Sequence, residues 1–87
     1  MQIKRVIEVW EKGMDGAPVT QLPVAEHIST VFLHQLFEQE AQQPDPQMLL
    51  GYFLTPEKLA LLQPYVAQEM DAEAYDYILS AYGIVNH

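Results

Sequence analysis

The chain of 87 residues contains no cysteine, only four basic residues, and no apolar run long enough to cross a bilayer. Without cysteine, neither a disulfide framework nor a thiolate metal site can form, which fits a reducing compartment. A bilayer span needs roughly 20 consecutive apolar residues. The amino terminus leads into a charged, alternating segment instead of a signal-peptide core. We therefore expect a soluble, cytoplasmic protein.

Length and hydrophobic content predict a single domain over residues 1–87. The hydrophobic fraction of 49% is normal for a globular protein and too high for a disordered chain. A chain of this size buries a little over ~60% of its unfolded surface, so it can fold alone.

The scarcity of bases leaves a formal net charge of −8. Ten of the twelve acidic residues follow Lys12, whereas Lys58 is the one base that does. Such a body repels nucleic acid and anionic membranes, and it attracts basic proteins, whose association it can speed toward roughly 10⁸–10⁹ M⁻¹s⁻¹ at low salt. Acidity also serves solubility, so charge alone leaves open whether there is a basic partner.

The amino-terminal region predicts a β-hairpin. Residues 3–11 are rich in β-branched residues and alternate roughly between apolar and polar. A glycine-bearing turn over residues 12–16 precedes a second extended segment over residues 17–24. Pro18 and Pro23 cannot donate to a ladder, so this second strand should lie at an edge. The prolines also protect that edge against pairing, which favours a monomer.

Apolar residues recur with the helical period over residues 25–40 and predict a first helix. The expected buried stripe consists of Ile28, Val31, Phe32, Leu33, Leu36 and Phe37. The start of the helix stays open, because Val24 offers no capping side chain. Two prolines and polar neighbours over residues 41–47 predict an exposed loop.

A second helix has the clearest local signal in the chain. Thr55 is a candidate N-cap, Pro56 stands at the first helical position, and Glu57 complements the dipole in the first turn. Pro64 should end or kink this helix. The expected buried stripe is Leu59, Leu62 and Val66.

Residues 71–83 fit either a helix or a strand. In a helix, Asp71 would cap the start and Gly83 would close the end, whereas in a strand the apolar residues alternate from Tyr75 onward. The hairpin needs a third strand to be stable in water, which favours the strand. We therefore predict an α+β fold, a small three-stranded, mostly antiparallel sheet packed against two helices. The alternative is the hairpin with three helices.

Few residues indicate catalysis or metal binding. His27, His34 and Glu38 would share one helix face, but no second cluster supplies further ligands, which favours exposed histidines. The chain contains no P-loop, no dinucleotide-binding glycine motif and no Ser-His-Asp order. We expect no enzyme activity, no metal and no cofactor.

The segment from residue 69 to residue 77 interleaves four carboxylates with two tyrosines and contains no base. Tyrosine is enriched at interfaces, and negative charge steers basic partners. We predict that this segment binds a partner protein through Glu69, Asp71, Glu73, Tyr75, Asp76 and Tyr77, with help from Glu38, Glu40 and Asp45. The competing interpretations are a solvated acidic face and tyrosine rings that fill the core.

Three features resemble a family of short bacterial proteins that are encoded near polymorphic interbacterial or contact-dependent toxins and are regarded as immunity proteins. These are the hairpin, the run from Tyr52 to Leu59 and the run from Tyr75 to Tyr82, which together cover residues 3–82. The linker over residues 39–47 departs from that pattern in length and in glutamine and proline content. The resemblance implies a stoichiometric toxin inhibitor and carries over no functional residues. With the acidity, it leads us to expect a basic toxin, such as a nuclease, bound by a monomer as a heterodimer.

Overall fold

The computed structural model describes residues 2–14, 16–37 and 51–84, which form an α+β fold. The elements are β1 Gln2–Glu11, β2 Thr20–Pro23, α1 Thr30–Leu36, β3 Tyr52–Phe53, α2 Pro56–Leu62, a 3₁₀ turn Gln63–Tyr65 and β4 Tyr75–Ile84. The strands form one antiparallel sheet in the order β2-β1-β4-β3. The predicted class is confirmed.

The carboxy-terminal segment is a strand, so the alternative with a third helix there is wrong. β4 pairs with β1 along its whole length, from Gln2 opposite Ile84 to Glu11 opposite Tyr75. The predicted count of three strands is one short. β3 pairs with β4 through only two residues, Tyr52 and Phe53, and two residues cannot show alternation in a sequence.

The first helix begins later than its periodicity predicts. Ser29 caps it, because the hydroxyl oxygen accepts the backbone N–H of Phe32 at 3.2 Å. The predicted start at residue 25 falls in a turn. The helix is also rotated relative to the predicted stripe, since Leu33 and Phe37 are fully buried while Val31 is exposed. The predicted end at Glu40 lies outside the described residues.

The second helix follows its sequence signals closely. The Thr55 hydroxyl accepts the backbone N–H of Lys58 at 3.4 Å, and Pro56 opens the helix. The α-helix ends at Leu62 and tightens into the 3₁₀ turn that contains Pro64, as expected where proline removes a backbone donor. All three residues of the predicted stripe are buried.

One face of the sheet, here called the covered face, packs against both helices. Ile7 of β1 and Leu79 of β4 are register partners on this face, and both are almost fully buried. The core cluster comprises Ile7, Val9, Val24, Ile28, Leu33, Phe37, Tyr52, Leu54, Leu59, Leu62, Val66, Tyr77 and Leu79. Full burial of one such side chain stabilises a fold by about 1.5–3 kcal/mol, so this layer supplies most of the stability.

The opposite face, here called the open face, carries the alternate residues of the same strands. Its members are Lys4, Val6, Glu8, Trp10, Gln21, Pro23, Phe53, Asp76, Ile78, Ser80 and Tyr82. None of them belongs to the core cluster, and within the described part of the chain neither helix packs over this face. The helices therefore form one layer and the sheet the other.

Candidate protein-binding site

The segment that precedes β4 is held in place by the side chain of Gln63. Its amide nitrogen donates to the carbonyl oxygens of Val66 at 3.3 Å and Gln68 at 2.7 Å, and its amide oxygen accepts the N–H of Met70 at 2.8 Å. With these three hydrogen bonds, one side chain pairs backbone groups of a loop that belongs to no helix or strand. Apart from the position of Gln63 directly after α2, nothing in the sequence indicates this role.

A second set of bonds fixes the turn that follows. The Tyr77 hydroxyl oxygen accepts the N–H of Asp71 at 2.8 Å, and the Asp71 carboxylate accepts the N–H of Glu73 at 3.0 Å. The Asp71 carbonyl oxygen accepts the N–H groups of Ala74 and Tyr75, both at 3.1 Å. Asp71 thus organises its own turn, as aspartate often does.

Tyr77 faces the core instead of solvent. Its side chain is 3% exposed and belongs to the core cluster on the covered face. The expectation of an exposed ring is therefore wrong for Tyr77, and the competing interpretation, a core ring, holds. The physical reason is strand parity, because Tyr77 shares its face with Leu79.

Glu69, Asp71 and Glu73 are all exposed, and they lie on the segment that leads into β4 at Tyr75. Tyr75 is 40% exposed and meets the buried Tyr77 ring edge-on, with centroids 6.5 Å apart. The edge-to-face contact holds Tyr75 while one side of its ring stays accessible. The structure thus leaves four of the predicted residues exposed on one short segment.

Asp76 has a structural role that the sequence did not predict. One carboxylate oxygen accepts a bond from the Lys12 ammonium at 3.1 Å, and the other accepts the backbone N–H of Gly13 at 3.1 Å. Gly13 has a φ of 92°, which favours glycine, and the next residue, Met14, is also left-handed at 57°. Asp76 therefore ties this strained hairpin turn to β4. The acidic segment itself contains no base, but the fold brings Lys12 of the hairpin turn to Asp76, which it partly neutralises.

Glu11 joins the exposed carboxylates through the sheet register. It lies opposite Tyr75 at the last pair of the β1–β4 ladder and is exposed. An antiparallel pairing of the first and last strands could have predicted this neighbour. We call Glu11, Glu69, Asp71, Glu73 and Tyr75 the acidic end. The other predicted contributors, Glu38, Glu40 and Asp45, lie outside the described residues.

The described residues offer little for catalysis or metal binding. His27 packs against the Tyr65 ring at a centroid distance of 5.3 Å, while Glu38 of the conceivable cluster is not described. Within residues 2–14, 16–37 and 51–84, no three histidine or acidic side chains group as metal ligands. No helix formed by these residues is long and apolar enough to cross a membrane.

One carboxyl has a shifted pKa. Lys4 donates a hydrogen bond to Glu26, and this bond, followed by the Coulombic attraction of the ammonium, holds the pKa of Glu26 below its usual range. Glu26 is exposed on the loop after β2, so the shift belongs to a surface ion pair that anchors Lys4 at the rim of the open face.

Comparison with known proteins places most of the chain in a single family. A family model described as a domain of unknown function, DUF7683, matches residues 4–80. No curated protein and no solved structure matches the chain. The matched range covers β2, α1, β3 and α2 completely and most of β1 and β4, and the chain belongs to the DUF7683 family.

Proposed function

We propose that this protein acts without catalysis, by binding a positively charged protein partner, and that the partner is a bacterial toxin domain that it neutralises in the cytoplasm. The observation that carries the proposal is the acidic end. Four exposed carboxylates lie on the two segments that meet at the partly exposed Tyr75, and the N–H groups of Met70 and Asp71 are held by Gln63 and Tyr77, which accept their hydrogen bonds.

A fixed arrangement of charges favours binding for two reasons. The turn is already ordered, so association loses less conformational entropy than it would from a disordered acidic tail. The carboxylates also attract a basic surface over several ångströms and speed its encounter. Tyr75 adds a rigid aromatic ring, the side-chain type that often carries a large share of binding energy at an interface centre.

The toxin class rests on the resemblance described above and on charge. Nuclease domains bind a polyanion and therefore carry basic surfaces, to which a chain of net charge −8 is complementary. Binding at such a surface gives a stoichiometric inhibitor that needs no reactive group of its own. An acidic adaptor unrelated to toxins is the alternative, and it would not protect cells against a toxin.

The decisive experiment uses any toxin domain that an adjacent gene encodes. Cells that express the toxin domain should survive when they also express this protein, and the two purified chains should form a one-to-one complex. Failure to bind and inhibit the product of any adjacent gene would refute the proposal.

A matched pair of charge reversals then tests the acidic end. Glu73→Lys should slow association by about tenfold at low salt and reduce the salt dependence, because steering depends on local charge. Glu57→Lys is the control, since Glu57 is equally acidic and exposed but lies in the first turn of α2. Equal slowing by both variants would show that only net charge matters.

A further inference from the structure

We propose that the open face of the sheet is a docking surface for an amphipathic, positively charged segment of the partner protein. The partner's charge rests on the proposed function, whereas the surface itself rests on the fold. Three properties of this face favour docking: apolar exposure, the placement of one carboxylate, and proximity to the acidic end.

The first property is apolar and aromatic exposure on three strands. Phe53 of β3 is 51% exposed and is the register partner of the half-buried Ile78 of β4, while Tyr82, also of β4, is 48% exposed. The half-buried Trp10 of β1 lies diagonally from Ile78, whereas Val6, further along β1, is buried. Cross-strand partners have Cβ atoms about 4.5–5.5 Å apart and diagonal neighbours about 7–8 Å, so Phe53, Ile78 and Trp10 are neighbours, and Tyr82 lies further along β4. Exposed apolar surface on a small protein can mark an interaction site.

The second property is the charge at the centre of that surface. Glu8 lies opposite Ile78 and accepts a hydrogen bond from the Trp10 indole N–H at 3.4 Å. The two other charged residues of the face, Lys4 and Asp76, are paired with Glu26 and Lys12. Among the described residues, no base forms a salt bridge with Glu8.

A carboxylate held beside an indole ring favours one kind of ligand group. An arginine or lysine side chain can lie over the Trp10 ring and place its charge against Glu8, which combines a cation–π contact with an ion pair. The apolar residues around it, Phe53, Ile78 and Tyr82, suit aliphatic side chains of the same segment. The complementary segment is therefore apolar on one side and basic at its margin.

The third property is proximity to the acidic end. Glu11 and Tyr75 directly follow the pair of Trp10 and Asp76 in the β1–β4 ladder, but their side chains have the parity of the covered face. One partner can therefore contact both surfaces only by extending around this end of the sheet. A second copy of this chain fits less well, because each copy has a net charge of −8 and would bring its own Glu8 against another acidic face.

Trp10 is the single tryptophan of the chain, so its fluorescence reports directly on the open face. The probe is a helical peptide made only of leucine and lysine, and its negative counterpart contains glutamate in place of lysine. We expect a saturable change in Trp10 emission with the lysine peptide and no comparable change with the glutamate peptide. Binding of both peptides alike, or of neither, would overturn the proposal.

Variants assign the binding to this face. Phe53→Ser with Tyr82→Ser should weaken the lysine peptide at least about tenfold, since both rings would lie in the contact. Leu61→Ser is the matched control, because Leu61 is 49% exposed but lies on α2 in the other layer, and affinity should stay within about twofold. Equal weakening by the control would contradict the proposal.

Two further measurements keep the proposal open to refutation. If the double variant does not fold, Glu8→Gln serves instead. This variant should bind the lysine peptide more weakly and with a smaller salt dependence. Unchanged affinity and salt dependence would overturn the proposal. Sedimentation of the wild-type chain tests the second-copy alternative, because a dimer that Phe53→Ser dissociates would show that another copy occupies the face and would overturn the proposal.

The toxin experiment separates this inference from the proposed function. If no toxin is neutralised but the lysine peptide binds at the open face, the proposed function fails and the docking surface stands. If the toxin is neutralised and the Phe53→Ser/Tyr82→Ser variant binds it with wild-type affinity, the proposed function stands and the docking surface is refuted.

Discussion

The two faces of the sheet differ in their surroundings although the same strands supply both. Tyr77 and Ile78 are neighbours in β4, yet the first is buried among the helices and the second lies on the face without a helix. Tyr82 has the parity of Ile78 and is exposed, whereas Tyr75 has the parity of Tyr77 but lies at the end of the sheet. Strand parity and distance from the helices, and not residue type, decide which tyrosine stabilises the fold and which can meet a partner.

The largest expected effect comes from truncating one tyrosine on each face. Tyr77→Ala should lower the free energy of unfolding by about 3–5 kcal/mol, because it removes a buried ring and leaves a cavity. Tyr82→Ala should stay within about 1 kcal/mol, since half of its surface is already in water. Urea denaturation followed by circular dichroism measures both, and similar losses would mean that the open face also contributes to the core.

A smaller effect is expected from Asp76, which lies on the open face but supports the hairpin. Asp76→Ala should cost about 1.5–3 kcal/mol, because its carboxylate accepts charge-assisted bonds from Lys12 and the Gly13 N–H. Glu73→Ala should change stability by less than about 0.5 kcal/mol, since its carboxylate is exposed. If the two variants unfold at the same denaturant concentration, the bridge between β4 and the hairpin turn contributes nothing.

The sequence predicts the fold wherever a local physical signal is strong. Thr55 and Pro56 start α2 at the predicted position, and the need of the hairpin for a third strand identifies β4. Ser29 falls inside the predicted helix over residues 25–40, although in the structure its hydroxyl caps α1. Periodicity overestimates that helix because Ile28 is buried in the turn before it, where it continues the apolar pattern.

The candidate site was less predictable, because it depends on contacts between distant segments. The composition of residues 69–77 shows an acidic and aromatic segment, but it does not show which of these side chains form hydrogen bonds within the fold. The bond from Lys12 to Asp76 joins residues 64 positions apart, and the Tyr77 hydroxyl is used by Asp71. Such pairings follow from the register of β1 with β4. The sequence alone does not show which residues of two strands lie opposite each other.

The hydroxyl of Tyr77 gives a finer test than removal of its ring. Tyr77→Phe keeps the core contact on the covered face but leaves the Asp71 N–H without its partner, which should cost about 1 kcal/mol. The amide of Asp71 should also exchange with deuterium faster, because the acidic turn is released while the core stays closed. Unchanged exchange at Asp71 would show that the turn is held by Gln63 and by its own hydrogen bonds alone.

The smallest expected effect concerns the ion pair at the rim of the open face. Because Lys4 lowers the pKa of Glu26 in the folded state, the pair stabilises the fold above the ordinary carboxyl pKa and loses this contribution as the pH falls through the lowered value. Glu26→Gln should therefore melt slightly below the wild type at pH 7, and the difference should vanish in acid. High salt should also reduce this melting difference, since the pair is exposed.

Glu57→Gln is the control, because Glu57 forms no ion pair with a described residue, and its melting difference should not follow this pH pattern. A Glu26→Gln difference that persists in acid would mean that the substitution changes stability by something other than the charge that Glu26 offers to Lys4.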